Sequence, residues 1–199
     1  VPSRIRRRTA GVLGAALLAG AGLGCARDEG EHVVSVGGAR SACELPVTWE
    51  IPTPWRKKSL DEDAADKKRS RYSPCHLELG TGKTALALRV DVYDKGRTKT
   101  SADPLKALLD YDGQGMSNYG EYYHDEYENR LTIAGHPAAQ MGYTVEPPDS
   151  NVPTFRRRMF AVVTPDATIV VRVGGDNPGA DERTRALYDR VKSSLRFTS

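Results

Sequence analysis

The chain has 199 residues, with 29 Lys+Arg against 26 Asp+Glu and three cysteines. Four of the arginines precede Cys25, so the formal +3 of the whole becomes −1 after that point. No broad basic field remains to attract nucleic acid or another polyanionic partner.

The N-terminal stretch reads as a leader. Arg4, Arg6, Arg7 and Arg8 form a basic cluster, and Ala10 to Leu23 follows without a charge. That run suits the apolar region of a signal peptide and falls short of the ~20 apolar residues that span a bilayer. A buried helix is a poor reading, because Gly11, Gly14, Gly20 and Gly22 would each cost about 1 kcal/mol in a helix interior. Residues 1–24 are therefore expected to be a cleavable signal peptide. Gly22-Leu23-Gly24-Cys25 resembles a lipobox, in which small residues precede an acylated cysteine, although Gly22 stands where Leu is usual. Cys25 is the expected lipidation site. Ordinary cleavage after Ala26 stays open, as does the export route. Residues 25–40, polar and Gly-containing, read as a flexible tether, and 41–199 as one α+β domain.

With Cys25 acylated, Cys43 and Cys75 are left as a pair. In an oxidising compartment such a pair invites a disulfide. Two separate buried thiols are the alternative; a metal site lacks the usual Cys-x-x-Cys or His spacing.

In chain order, Leu45, Val47, Trp49 and Ile51 alternate as the buried face of a strand, which Pro52 and Pro54 end. Lys57 to Arg71 is a solvated loop or short surface helix. Cys75–Leu79 and Ala85–Tyr93 form a hairpin about Gly80-Thr81-Gly82-Lys83, with Leu86, Leu88, Val90 and Val92 on one face. Asp103-Pro104 starts a helix as N-cap and first residue; Leu105, Leu108 and Leu109 stripe it, and Gly113 and Gly115 stop it. Tyr119 to Asn129 fits a helix or a strand. Strands then run from Leu131 to Ile133 and from Ala138 to Val145, joined at Gly135-His136-Pro137. Arg156–Val163 and Thr168–Val173 form a last hairpin, the second strand β-branched enough to be central. After Asn177-Pro178-Gly179, a helix buries Ala180, Thr184, Leu187, Tyr188, Val191 and Leu195. The expected fold is α+β, an antiparallel sheet of about six or seven strands flanked by helices.

Chemistry-bearing motifs are sparse. Gly80-Thr81-Gly82-Lys83-Thr84 catches the eye as a phosphate loop, but Leu77 holds the position of its first Gly and a strand follows it, so no nucleotide is expected. His124, Asp125, Glu126, Glu128 and His136 offer metal donors in unspecific spacing, and no metal or cofactor is expected. No Gly-x-Ser-x-Gly is present, and Asp110, Asp112, Asp125 and Glu126 read as solvated surface. Arg156 and Arg158 could meet an anionic headgroup or a cell-wall polymer, against the plainer reading of a charged edge that discourages aggregation. Trp55, Tyr119 and Tyr123, with Tyr111, Tyr122 and Tyr127, could line a ligand or partner surface, or simply pack the core.

Cys43-x-Leu45-x-Val47-x-Trp49, Pro54-Trp55 and Pro74-Cys75-His76-Leu77-Glu78 with Leu88-Arg89-Val90 make up one recognisable pattern. Ala161 to Ala167 and Gly174-Gly175-Asp176, leading into the terminal helix, continue it. Across residues 41–197 the chain resembles small actinobacterial lipoproteins, which are similar in turn to the PsbP-like fold of LpqN-type lipoproteins. The resemblance implies a central antiparallel sheet flanked by helices, and a binding or assembly role with no shared catalytic residues. The expectation is an exported, membrane-anchored, non-enzymatic lipoprotein on the outer face of the cell membrane. It would contact the membrane through its lipid and an envelope protein or ligand not named by the sequence. A metal-dependent or other envelope hydrolase using the His124 to Glu128 region is the alternative, and a small-molecule carrier is a third.

Overall fold

The computed structural model describes residues 32–58, 71–82, 85–94, 102–116, 123–146, 154–175 and 181–198, all within one compact unit, 31–199. The expected signal peptide, Cys25 and Tyr119 lie outside them. The elements are β1 (Val33–Gly37), β2 (Val47–Pro52), β3 (Trp55–Lys57), β4 (Arg71–Leu79), β5 (Leu86–Asp94), α1 (Pro104–Met116), β6 (Tyr123–Ile133), β7 (His136–Val145), β8 (Phe155–Val163), β9 (Ala167–Gly175), α2 (Asp181–Ser194) and β10 (Arg196–Phe197).

Seven strands form one antiparallel sheet in the order β3-β4-β5-β9-β8-β7-β6, and β1-β2-β10 form a second. The β6-β7-β8-β9 run is a meander whose last strand returns to pair with β5. This places β9 at the centre, where a strand buried on both faces favours β-branched residues. Ile169, Val170, Val171 and Val173 are all fully buried there. The β6–β7 turn needs only Ala134 and Gly135, both at positive φ (48° and 82°), as a two-residue hairpin of the favoured twist requires.

The two faces of the large sheet carry separate cores. On one, α2 packs on β8 and β9 and also on β2. Thr184, Leu187, Tyr188 and Val191 recur at helical spacing and bury themselves there. Leu77, Leu88, Val90, Phe160 and Val171 of the large sheet and Trp49 and Ile51 of the small one join them. The Cys43–Cys75 disulfide crosses this layer from the lead-in of β2 to β4. On the other face, α1 covers β6, β7 and β8, with Leu108 and Tyr111 on Ala139, Met141, Tyr143 and Met159. Asp103 caps α1: its Oδ1 accepts the Leu105 backbone N–H at 2.9 Å, and its Oδ2 accepts from Arg130 at 2.6 Å. The Arg130 hydrogen bond is the main reason its carboxyl lies below the usual range.

Several expectations change. Residues 25–40 are not tether throughout, because Val33–Gly37 pairs with β2, and the domain therefore starts before 41. Part of the Lys57 to Arg71 loop is strand at both ends, in β3 and β4. Gly113 and Gly115 do not stop α1, which runs on to Met116; the ~1 kcal/mol that each glycine costs is within what tertiary packing offsets. Its buried face is Pro104, Ala107, Leu108 and Tyr111, rotated from the expected stripe, and Leu109 is 42% exposed. The Tyr119 to Asn129 ambiguity resolves to strand from Tyr123 onward.

Gly37 fixes how β1 enters the small sheet. Its φ is +95°, and a Cβ there would lie 2.0 Å from the Val47 carbonyl oxygen. Backbone blocks backbone, so only loss of the β1–β2 pairing relieves it. Gly37→Ala is expected to cost at least about 2 kcal/mol, read from the urea midpoint; a midpoint equal to the parent's would contradict this packing.

Candidate functional site: a basic cavity on the α1 face of the large sheet

Strand alternation decides which side chains reach the α1 face of the sheet. In β4, Cys75, Leu77 and Leu79 enter the α2-side core, so His76 and Glu78 turn the other way. In β5, Leu86, Leu88, Val90 and Val92 do the same, leaving Ala87, Arg89 and Asp91 on the α1 side. β9 contributes Arg172 and Gly174, and β8 contributes Arg157. Among the described elements, only α1 lies on this face, and it packs chiefly on the β6-β7-β8 half.

Register then assembles a site. His76 lies opposite Arg89, and Arg89 opposite Arg172, one row across three adjacent strands. In the next row, Glu78 faces Ala87, Ala87 faces Gly174, and Gly174 faces Arg157. The small residues at Ala87 and Gly174 leave a depression beside the row of longer side chains, with Glu78 at one end and Arg157 at the other. It is a cavity of ≈ 140 Å³ lined by His76, Glu78, Arg89, Arg157 and Arg172 over those two residues.

The carboxylates of this region are already engaged. Glu78 accepts hydrogen bonds from Lys58 Nζ, and from Arg56 Nε at 2.9 Å and Nη2 at 2.6 Å. Those bonds, from Lys58 first and then Arg56, hold its carboxyl below the usual range. Asp91 is fully buried and pairs with Arg89 at 3.2 Å. Arg157 Nη1 reaches the Tyr143 hydroxyl at 3.4 Å. Arg172 makes no hydrogen bond or ion pair with any described residue. His76 Nδ1 is buried without a hydrogen-bond partner. Burial first, then the charges of Arg89 and Lys58, push the imidazole pKa down, leaving it neutral at pH 7. The site is thus a pocket of fixed positive charge beside a neutral histidine.

Of the expected ligand surface, the described residues Trp55, Arg156 and Arg158 are not gathered in one place. Arg156 and Arg158 fall on the α2 side by parity and hold the start of α2. Arg156 Nη1 meets Asp181 Oδ2 at 2.6 Å, and Arg158 Nη2 lies 3.6 Å from Oδ1. Arg158 also donates to the Tyr127 hydroxyl at 3.4 Å. Trp55 is half-buried in edge strand β3 and packs against the main core. Tyr123 begins β6, with its side chain outside the described residues, as are the side chains of His124, Asp125 and Glu126. Of the other metal-donor candidates, Glu128 is exposed, and His136 meets Phe197 in a tilted ring contact with centroids 4.4 Å apart. No cluster of three metal-binding side chains occurs among the described residues. Gly80 and Gly82 sit at positive φ in the turn between β4 and β5, which is not a strand-to-helix loop. Tyr188 is a core residue, its hydroxyl donating to Gln140 Oε1 at 3.1 Å, and burial raises its pKa strongly.

Among the described residues, a large antiparallel sheet with one helix on each face and a smaller sheet beyond defines an α+β class already seen in solved structures. The cyanobacterial PsbP of Synechocystis sp. PCC 6803 superposes with a TM-score of 0.61 at 9% identity, over 87% of this chain and 96% of that one. The Ran-binding protein Mog1p of Saccharomyces cerevisiae gives 0.59 at 10% identity, over 85% and 97%. LpqN of Mycobacterium tuberculosis gives 0.48 at 15% identity, over 87% and 94%. The PsbP-like fold read from the sequence is the fold found. No curated protein matches the sequence. The chain belongs to a family described as uncharacterised lipoproteins, matched over residues 24–195, a stretch that includes Cys25. No helix among the described residues is long and apolar enough to cross a membrane.

Proposed function

We propose that this lipoprotein is a non-enzymatic binding protein of the cell envelope, tethered by Cys25 to the outer face of the cell membrane. The observation that supports it is the cavity over Ala87 and Gly174. Among the described residues, its lining holds cations, a histidine and an engaged carboxylate, with no Ser, Thr, Cys or Tyr to act as nucleophile. His76 and Glu78 follow each other on one strand, but Glu78 is spent on Arg56 and Lys58. Such a lining holds a ligand in place. The Ran-binding yeast neighbour shows the same scaffold serving a binding protein elsewhere.

The test uses the full chain in its own cells. Cys25→Ala is expected to release the protein from the membrane fraction with the Cys43–Cys75 bond intact, and crosslinked neighbours are expected to disappear with the anchor. Retention of the variant on membranes refutes the tether. A hydrolase activity of the purified protein that vanishes on His76→Gln refutes the non-enzymatic role.

A further inference from the structure

We propose that the cavity between Arg89, Arg157 and Arg172 binds a phosphate-bearing ligand, either a soluble phosphate ester or the phosphodiester of a lipid headgroup. The inference deepens the binding reading above and rests on it.

The register of two arginines, with the neutral His76 beside them, is the first observation. His76, Arg89 and Arg172 lie directly opposite one another on β4, β5 and the central strand β9. Like charges in direct cross-strand register are destabilising. A sheet selected for stability alone would alternate their sign. Asp91 answers Arg89, and Glu78 is held by Arg56 and Lys58, so no local carboxylate is left for Arg172, which pairs with no described residue. An anion seated against Arg172 supplies the partner that the sheet does not.

The floor is the second observation. The row beside the cations carries Ala87 and Gly174, where longer side chains would fill the space. A Cβ on Gly174 would meet only ordinary contacts, 3.5 Å from the Arg156 carbonyl oxygen and 3.9 Å from the Arg157 side chain. Crowding therefore does not demand glycine at this position; leaving the cavity open does. At ≈ 140 Å³ the cavity is well below the ~300 Å³ at which pockets for drug-sized ligands begin. It suits one compact charged group whose remainder projects into solvent.

The donor geometry selects among anions. Guanidinium forks arrive from β5, β8 and β9, and His76 Nδ1 waits unpartnered on β4. A planar carboxylate satisfies a single fork, whereas the oxygens of a tetrahedral phosphate accept from several directions.

The test titrates the full chain in non-ionic detergent with glycerol 3-phosphate and, at equal ionic strength, with acetate, by calorimetry and thermal shift. Arg172→Gln is the decisive variant. It leaves the Arg89–Asp91 pair in place and removes a like-charge neighbour, so its melting temperature in the absence of ligand should equal or exceed the parent's. Its phosphate affinity should fall at least about tenfold, the loss of one charge-assisted hydrogen bond. Gly174→Val, which fills the floor, should weaken binding similarly. In a second arm, the full-length Cys25→Ala chain is floated with vesicles of phosphatidylglycerol in phosphatidylcholine, or of phosphatidylcholine alone. Arg172-dependent flotation with phosphatidylglycerol assigns the headgroup; ester binding without flotation assigns a soluble ligand. Both outcomes support the site. Acetate binding as tightly as the ester, or a folded parent binding neither ester nor vesicle, overturns it and leaves the tethered binding role standing. Release of inorganic phosphate from the ester keeps the site and sinks the non-enzymatic reading.

Discussion

Trp49→Ala is expected to lower stability by about 3–5 kcal/mol, the range for deleting a large buried aromatic ring. Trp49 is 1% exposed in β2 and belongs to the core that α2 shares with both sheets. The void would open where these layers meet, and close packing in such a core leaves little room for collapse. Trp49→Phe should behave quite differently. The indole Nε1 is buried without a hydrogen-bond partner, and an unsatisfied buried donor costs about 1–3 kcal/mol. Phenylalanine gives up part of the ring volume and also removes that donor, so the two effects oppose each other. Its loss should be less than half that of alanine in parallel urea titrations. A phenylalanine variant as unstable as the alanine one means that the indole N–H is satisfied after all.

Periodicity was enough to read the elements that carry their own signal. Leu86, Leu88, Val90 and Val92 announce β5, and Thr184, Leu187, Tyr188 and Val191 announce α2, because each pattern matches the repeat of one buried face. The strands that escaped are β1, β3 and β10, at the edges of their sheets and at most five residues long. Such strands are made by the neighbour they pair with, and five residues hold too few repeats to establish a period. The extension of α1 through Gly113 and Gly115 likewise follows a helix whose earlier turns, at Leu108 and Tyr111, pack on the sheet.

The candidate site was hidden for a related reason. His76, Arg89 and Arg172 each occupy the polar parity of a strand, where a charged residue is ordinary. Only the pairing of β5 with β9, far apart along the chain, turns three unremarkable positions into one row. The signal that did stand out, Arg156-Arg157-Arg158, divides by alternation. The guanidinium groups of Arg156 and Arg158 are engaged with Asp181, while the side chain of the middle arginine falls on the cavity side by parity. A contiguous charge run in a strand thus serves two faces, and its visible strength in the sequence overstates what either face receives.

The cysteines connect the fold to the compartment. Cys43→Ala with Cys75→Ala is expected to cost about 3–4 kcal/mol, from the loop-closure entropy that a bond across 32 residues removes from the unfolded chain. For a domain of this size, that is roughly a 10 °C fall in melting temperature. The double substitution avoids leaving one buried thiol without its partner, since both cysteines are fully buried. The bond ties the lead-in of β2 to β4, the strand whose next residue, His76, faces the cavity from the opposite side. Below the new melting temperature, β4 keeps its pairing to both β3 and β5, so the cavity should persist in the variant. Reduction should therefore lower the melting temperature of the parent and leave that of the double variant unchanged, with folding at low temperature preserved in both. Equal melting temperatures for the oxidised and reduced parent would show that the bond adds nothing to stability. The loss of stability expected on reduction is a reason for the domain to work in an oxidising compartment, where the envelope placement of a lipoprotein would put it.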